Sequence, residues 1–320
     1  MVSWQGDRWP GKFPGVPVPF SWSCLRHAIF SSCPRAYYHR YYAADGGWDK
    51  FADNSAQKAY ALKYASSADE WLREILATAL RQTLMLQRSE REKSLSGFAQ
   101  QFRQAAFHLF GQGAVSTRNH EWKKDPKKLN LLEVQKGEIP LEKLLENLRD
   151  RLVGLTEGLI LCEFFEHCCK VPYLAFKPLK PPNSFEHEGI EVWVAPDLVW
   201  TEGDTLRILQ IQLAPHQDDE AWRLGSNVCI LWAAETFKLL PEHIFCGTLE
   251  AASDGKLWEE AYPGHMELEK TRRIISTSAA TMLACLPQKN EAPSEKNFPK
   301  HSNAPDEICK ACRYVDICWQ

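Results

Sequence analysis

The sequence has no apolar run of about 18 uninterrupted residues, so no segment has the length and hydropathy of a membrane-spanning helix. It also lacks an excess of positive charge: 38 Lys and Arg face 41 Asp and Glu, a formal net charge of -3. No global basic field therefore attracts nucleic acid, and any polyanion site has to be a local patch. Residues 1–20 contain Pro10, Pro14, Pro17 and Pro19, which an apolar export helix would not tolerate, so no signal peptide is expected. Internal repeats are absent as well. Cysteine, by contrast, is plentiful: 11 in 320 residues, an odd number in a chain too large to need a disulfide framework. The expected compartment is a reducing cytoplasm, where clustered cysteines bind metal more often than they pair.

With 44% hydrophobic and 25% charged residues, the chain can bury one large core or two modest ones. The pattern predicts an extended arm over 1–20, carrying Trp4 and Trp9, and a single domain over 21–320. Within that domain, 21–169 is mainly helical, 170–250 forms a core sheet, and 251–320 holds a C-terminal helix and a cysteine cluster. Helical periodicity covers Ser21–Tyr42, Gln57–Gln87, residues 89–112 and Leu141–Cys169, with Gly46-Gly47-Trp48 ending the first. The period then changes. Val171–Phe176, Ile190–Trp200, Leu206–Leu213 and Ile244–Leu249 read as strands, with Gly203-Asp204 as a hairpin turn. Trp222–Leu239 supplies a helix before the fourth strand, and a last helix covers Thr271–Leu286. This order predicts an α/β fold of α+β type, a core sheet flanked by helices with a large helical insertion.

Three cysteines, Cys309, Cys312 and Cys318, are spaced x2 and x5 within ten residues. That density is too high for incidental core cysteines, whereas Cys162, Cys168, Cys169, Cys229, Cys246 and Cys285 sit in helical or strand patterns as small core residues. Near the other end, Cys33-Pro34-Arg35 precedes Tyr37 and Tyr38, with His39 and Arg40 following. Arg35, Tyr38 and Arg40 can stack bases and neutralise phosphates; equally, the tyrosines can face the core and the arginines the solvent. The most basic run is Trp122–Lys128. Its Lys123, Lys124, Lys127 and Lys128 can grip a phosphate backbone or form a solvated loop.

Taken in order, Cys33-Pro34-Arg35 with its paired tyrosines, Gly46-Gly47-Trp48, the Leu62-Lys63 helix, Trp122 with Pro126-Lys127-Lys128, Trp193-Val-Ala-Pro196-Asp197-Leu and the C-x2-C-x5-C tail form one series. It resembles the RecB-like, iron-sulfur branch of the PD-(D/E)XK nuclease superfamily, related to the CRISPR-associated exonucleases and the AddB nuclease domain. The resemblance spans Ser21 to Cys318 and implies a restriction-endonuclease-like core sheet with a C-terminal iron-sulfur cap. It also implies that Cys33, Cys309, Cys312 and Cys318 hold a [4Fe-4S] cluster. Four thiolates are the ligand set of such clusters, and a structural zinc with four thiolate ligands fits the spacing nearly as well. Cys24 is the alternative N-terminal ligand.

The same resemblance implies a Mg²⁺ or Mn²⁺ site built from carboxylates on two adjacent strands, with a lysine two residues past the second. Residues i and i+2 of a strand share a face, which explains that spacing. Asp197 stands at the first position, but Gln210 occupies the second carboxylate's place and Gln212 the lysine's. A glutamine carbonyl is a poorer ligand for a hard cation than a carboxylate. By register, the family's metal-binding histidine falls at Arg73 and the glycine before it at Asp69, while the following Gln and Tyr pair falls at Gly225 and Cys229. Loss of a proton-transfer group costs about 10²- to 10⁴-fold in rate. Asp218-Asp219-Glu220 can donate a migrated carboxylate or simply meet the dipole of the next helix. Without metal, the Asp197 charge needs another partner, and Arg73 is the residue expected to supply it.

Three functional expectations follow. The first is a catalytically inactive, nuclease-like subunit that binds DNA, single-stranded or end-containing, or acts as a scaffold. The second is an active Mg²⁺- or Mn²⁺-dependent exonuclease with a relocated carboxylate. The third is a protein-interaction subunit of a helicase, CRISPR or phage-defence complex with no DNA affinity. Closure of the ring between Cys33 and the tail predicts that Cys312→Ser disrupts folding, while Asp197→Ala leaves it nearly unchanged.

Overall fold

A computed structural model describes residues 20–86, 94–172, 175–177, 179, 183–213, 220–251, 256–260 (backbone), 263–287, 293–302 and 306–319. The predicted arm over 1–20 lies outside them except for Phe20.

A two-residue strand, β1 (Ser21–Trp22), leads to α1 (Cys24–Ser32), whose cap Ser23 accepts the Arg26 N–H at 3.2 Å. Cys33 stands extended, at φ -160° and ψ 110°, because the residue before a proline is kept out of the helical region. Pro34, with no N–H to leave unsatisfied, then opens α2 (Pro34–Tyr38), which runs into a π-helical turn over His39–Ala43. The helix expected over Ser21–Tyr42 is thus broken at the cysteine. After a turn at Gly46 (φ 75°) comes α3 (Asn54–Tyr64), capped by Asp53.

The periodicity over Gln57–Gln87 also splits, because Ser66 bridges Leu131 and its N–H bonds the Asn130 carbonyl at 2.8 Å instead of continuing the helix. Beyond that break lie α4 (Ala68–Leu86) and α5 (Leu95–Arg118). A 3-10 turn (Glu121–Lys123), the short α6 (Leu132–Gln135) and α7 (Leu141–Leu161) come next. An extended Cys162 separates α7 from α8 (Glu163–Lys170), where one helix was expected.

Of the strand expected at Val171–Phe176, Phe176 alone pairs among the described residues, in a bridge to Trp200. Strands β2 (Asn183–His187) and β3 (Ile190–Val194) are joined by Glu188 and Gly189, both at positive φ. The predicted strand Ile190–Trp200 is two strands in different sheets, since the chain leaves β3 before Pro196 and re-enters as β4 (Leu198–Glu202). The Gly203 hairpin (φ 62°) turns β4 into β5 (Thr205–Gln212), as expected. Then follow α9 (Glu220–Phe237), β6 (Ile244–Glu250), β7 (Lys256–Glu260), α10 (His265–Ala284), α11 (Glu307–Ala311) and α12 (Val315–Cys318). Sequence periodicity missed β2 and β7, and it assigned β1 to a helix.

The architecture is mixed α and β. Two compact units are present, one formed by the described parts of Ser66–Phe185 and Val194–Leu268, the other by those of Trp9–Ala65, Glu186–Trp193 and Glu269–Gln320. In the first, a sheet ordered β4-β5-β6-β7 is antiparallel, parallel, then antiparallel. Side chains alternate across it. Leu209, Ile211, Leu249 and Ala251 join one apolar core with Leu72, Leu76 and Leu80 of α4, Phe98 and Phe102 of α5, and Leu152 of α7. Each leucine, isoleucine or phenylalanine among them, fully buried, contributes about 1.5–3 kcal/mol. The alternate residues, Gln210 and Thr248, face α9: Gln210 approaches Cys229, and Trp222 Nε1–H donates to Thr248 Oγ1 at 2.5 Å.

A three-stranded sheet is ordered β1-β3-β2, and the second unit has an aromatic core. Tyr37, Phe298 and Tyr314 are fully buried, and Phe298 lies against Tyr37, Tyr38 and Tyr42 with ring centroids 5.4–6.2 Å apart.

Candidate functional site

The second unit contains all four cysteines of the proposed ring. Cys33 sits at the joint of α1 and α2, Cys309 within α11, Cys312 at the C-terminal cap of α11 and Cys318 at the end of α12. None of the 11 cysteines is in a disulfide. Burial pushes the Cys312 thiol above its usual range, the Tyr314 N–H opposes that, and the charges of Cys33 and Cys309 add to it. Cys318 is raised by burial too, with Lys300 and Arg35 opposing and Cys33 and Cys312 reinforcing. The four thiols are therefore electrostatic neighbours. Among the described residues, no group of three or more His, Cys, Asp or Glu side chains is arranged to hold a single metal ion. Burial pushes the thiol of Cys24, the alternative N-terminal ligand, up to about 12.

Hydrogen bonds tie the same segments together independently of the thiols. Arg35 donates from Nε to the Phe298 carbonyl at 2.8 Å, from Nη2 to the Glu295 carbonyl at 2.6 Å, and pairs with the Glu295 carboxylate at 2.5 Å. Arg313 Nη1 donates to the carbonyls of Leu62 and Ala65, at 3.2 and 2.9 Å, closing the C-terminal end of α3. Arg35 is buried and its guanidinium is committed to the protein, so it is not a phosphate contact. Tyr38 is half-buried and packs 5.5 Å from Phe298, and Arg40 lies 5.9 Å from the Tyr41 ring centroid. The core-facing alternative describes Tyr37, which is fully buried, but Arg35 departs from it, because its guanidinium is buried rather than solvated.

The second cluster lies in the first unit, where β4 meets β5. One step beyond the paired residues Leu198 and Leu209, the ladder's register puts Asp197 across from Gln210. The Asp197 carboxylate is buried, 4% exposed. Its Oδ2 accepts the Ile211 N–H at 2.7 Å and its Oδ1 accepts from Arg73 Nη1 at 3.2 Å, the partner expected from sequence. Arg81 was not anticipated: its Nη1 lies 3.7 Å from Oδ1 and donates to the Asp197 carbonyl at 3.4 Å. Arg81 also donates from Nη2 to Thr78 Oγ1 at 2.9 Å and to Glu74 at 3.3 Å. Burial pushes the Glu74 carboxyl up, with Arg81 opposing. The recognisable signal was Glu74, Thr78 and Arg81 at i, i+4 and i+7, a polar stripe beside the apolar one on α4.

Gln210 Nε2 lies 3.6 Å from Cys229 Sγ, and a Cβ on Gly225 would stand 4.0 Å from Gln210 Oε1, so both register-predicted positions on α9 meet this side chain. Gln212 Nε2 is buried with no hydrogen-bond partner among the described residues. Beside Gln212 in the parallel ladder stands Glu250, a buried acid that no sequence motif marks. Asp69 is drawn away from the site by an ion pair with Arg151 at 2.5 Å. Of the acidic run, Asp218 and Asp219 lie outside the described residues and Glu220 begins α9.

Lys123, Lys124, Lys127 and Lys128 lie between α5 and α6, all exposed. Lys128 is 3.9 Å from Glu121, while Lys124 and Lys127 have no ion-pair partner among the described residues.

No protein-family model matches the chain, and no curated protein matches it. Its chemistry has to be read from the two clusters themselves. Among the described residues, no helix is long and apolar enough to cross a membrane.

Proposed function

We propose that the protein is a nuclease-like, PD-(D/E)XK-type subunit that no longer cuts and instead binds nucleic acid or serves as a scaffold within a DNA-processing or defence complex. The carrying observation is the Asp197 carboxylate, held by the Ile211 N–H and by Arg73 and Arg81. Two guanidiniums occupy the surroundings that a divalent cation needs, and like charge repels the metal. Across and two residues on, Gln210 and Gln212 supply neither a second carboxylate nor a proton-accepting group.

In this reading Cys33, Cys309, Cys312 and Cys318 hold a [4Fe-4S] cluster. The chemistry of the donors supports this reading: four thiols in one unit, a Tyr314 N–H 3.4 Å from Cys312 Sγ, and Arg35, Lys300 and Arg313 close enough to offset thiolate charge. When bound, such a group supplies four covalent anchor points that join the start of the domain to its end. The protein's own bonds from Arg35 and Arg313 position the same segments.

Metal analysis and a visible spectrum of anaerobically purified protein, with a nuclease assay on the same sample, test the proposal. Iron and sulfide at cluster stoichiometry with no Mg²⁺- or Mn²⁺-dependent cleavage are expected. Cleavage abolished by Asp197→Ala would overturn the inactive reading.

Glu250 favours a second reading, an active enzyme whose acid has migrated to β6, since it stands in register beside Gln212. It requires divalent-metal binding lost in Glu250→Gln. Calorimetry showing no Mg²⁺ or Mn²⁺ uptake excludes it.

A further inference from the structure

Where α5 ends, the chain turns back through His120, whose φ of 51° lies in the left-handed region. The 3-10 turn, the lysine loop and α6 follow. With the start of α7 they enclose a cavity of about 310 Å³. Ligand pockets begin at about 300 Å³ and combine an apolar lining with a few polar groups. This one has that composition: Leu131, Val134 and Leu141 are apolar, His120, Lys123 and Gln135 are polar and exposed, and Trp122 contributes an indole.

The loop is shaped from within. Asp125 Oδ1 accepts the Lys127 N–H at 3.0 Å, and Glu121 accepts the Ser116 hydroxyl at 2.9 Å. Both acids of the segment are thus engaged in its fold, while Lys124 and Lys127 stay unpaired among the described residues. The Lys123 ammonium lies 5.6 Å from the Trp122 ring centroid, so cation and aromatic face share one opening.

This combination distinguishes between ligands. A lipid tail would use the apolar lining and leave the lysines idle. An acidic peptide would use the lysines and leave the concavity empty. A nucleotide uses both, because its base offers a π-face to an aromatic ring and its phosphate an anion to an ammonium. We infer that this cavity takes one nucleotide of a single strand, its base against Trp122 and the flanking phosphates on Lys123, Lys124, Lys127 and Lys128. The inference rests on the nucleic-acid reading above and deepens it. A free mononucleotide has the same chemistry, so both sources are tested.

The test is fluorescence anisotropy, across a salt series, with a short oligothymidylate and its abasic counterpart, alongside calorimetry with AMP. The wild-type chain is expected to prefer the intact strand to the abasic one. Trp122→Ala should weaken strand binding by about tenfold or more, as loss of base stacking does, without changing the salt slope. Trp122→Phe should retain most of the affinity. Lys127→Glu with Lys128→Glu should instead flatten the salt slope. Gln135→Glu, at an exposed position, should weaken binding by setting a carboxylate in the pocket lining. AMP binding lost in Trp122→Ala, with no strand binding, keeps the pocket and removes the strand reading. Strand binding indifferent to Trp122→Ala and Gln135→Glu overturns the pocket while leaving the nucleic-acid reading in place. Binding of neither probe overturns both.

Discussion

Arg73 Nη1 lies 3.2 Å from Asp197 Oδ1 while Oδ2 of the same carboxylate accepts the Ile211 N–H at 2.7 Å, so both oxygens are satisfied by protein groups. Removing this acid takes the carboxylate from Arg73 and the acceptor from a buried N–H, while Arg81 keeps Glu74, Thr78 and the Asp197 carbonyl. Loss of one partner of a buried pair costs about 3–5 kcal/mol; Arg73 and Arg81 are 32% and 25% exposed, and water softens the loss. Asp197→Ala is therefore expected to destabilise the chain by about 2–3 kcal/mol in urea unfolding, which reverses the sequence-based expectation of no effect. Asp197→Asn should lose less, because its amide oxygen still accepts from Ile211. Equal midpoints for wild type and Asp197→Ala would show that the acid does not hold the fold.

Much of this arrangement was legible in the residue pattern. The Gly203 hairpin, β5 and β6 follow from period-two alternation and a glycine turn, and Arg73 follows from asking what neutralises Asp197. Glu250 was not legible, because strand register decides which distant residues meet; Arg81 left a polar stripe on α4, but helix azimuth decides which acid that stripe reaches. The breaks at Cys33 and Ser66 were hidden for a related reason: apolar periodicity continues across them, while a following proline or an isolated bridge to Leu131 redirects the backbone. The cysteine spacing pointed to the tail, but the Arg35 and Arg313 bonds that bind that tail to the first helices leave no periodic trace.

His39 sets an acid limit on the second unit. It is 3% exposed, stacks 5.8 Å from Tyr314, and its Nε2 has no hydrogen-bond partner among the described residues. Burial lowers its pKa to about 4 from 6.5; Glu295 opposes this, and Arg35 and Lys300 add to it. Between those values the unfolded chain binds more protons, so stability falls as pH drops from 6.5 through about 4, by roughly 2–3 kcal/mol. Unfolding free energies measured across that range should slope accordingly, and His39→Phe should remove the slope. Glu74 acts in the opposite sense, its raised carboxyl favouring the fold as pH falls, so the comparison is made in a Glu74→Gln background.

Cys312→Ser separates the cluster's contribution from that of the protein's own bonds. Cross-linking a very long loop is worth about 4–5 kcal/mol by analogy with a disulfide. The variant is expected to lose the visible absorbance and most of that stabilisation, while Arg35 and Arg313 keep residual order in the tail. Adding Arg313→Ala should release it, read as faster proteolysis near residue 306. Cys285→Ser, which alters a thiol outside the ring, should leave colour and stability unchanged. A coloured, fully stable Cys312→Ser protein would refute the ring.

Two glycines of α5 make opposite predictions from the same substitution. A Cβ at Gly113 would stand 2.6 Å from Trp71 Cζ2, whereas one at Gly111 meets nothing within 4 Å. Alanine favours a helix over glycine by about 0.5–1 kcal/mol. At Gly111 that gain is unopposed, so Gly111→Ala should raise stability by about that amount. At Gly113 the indole of Trp71, 8% exposed and stacked 5.0 Å from Phe110, has no room to yield, and overpacking costs about 1–3 kcal/mol. Gly113→Ala should therefore be destabilising despite its better propensity, and Gly113→Ala with Trp71→Leu should recover part of the loss by removing the obstructing ring. Thermal unfolding of the three variants decides it: a stabilised Gly113→Ala would mean that α4 and α5 do not approach as closely as that contact requires.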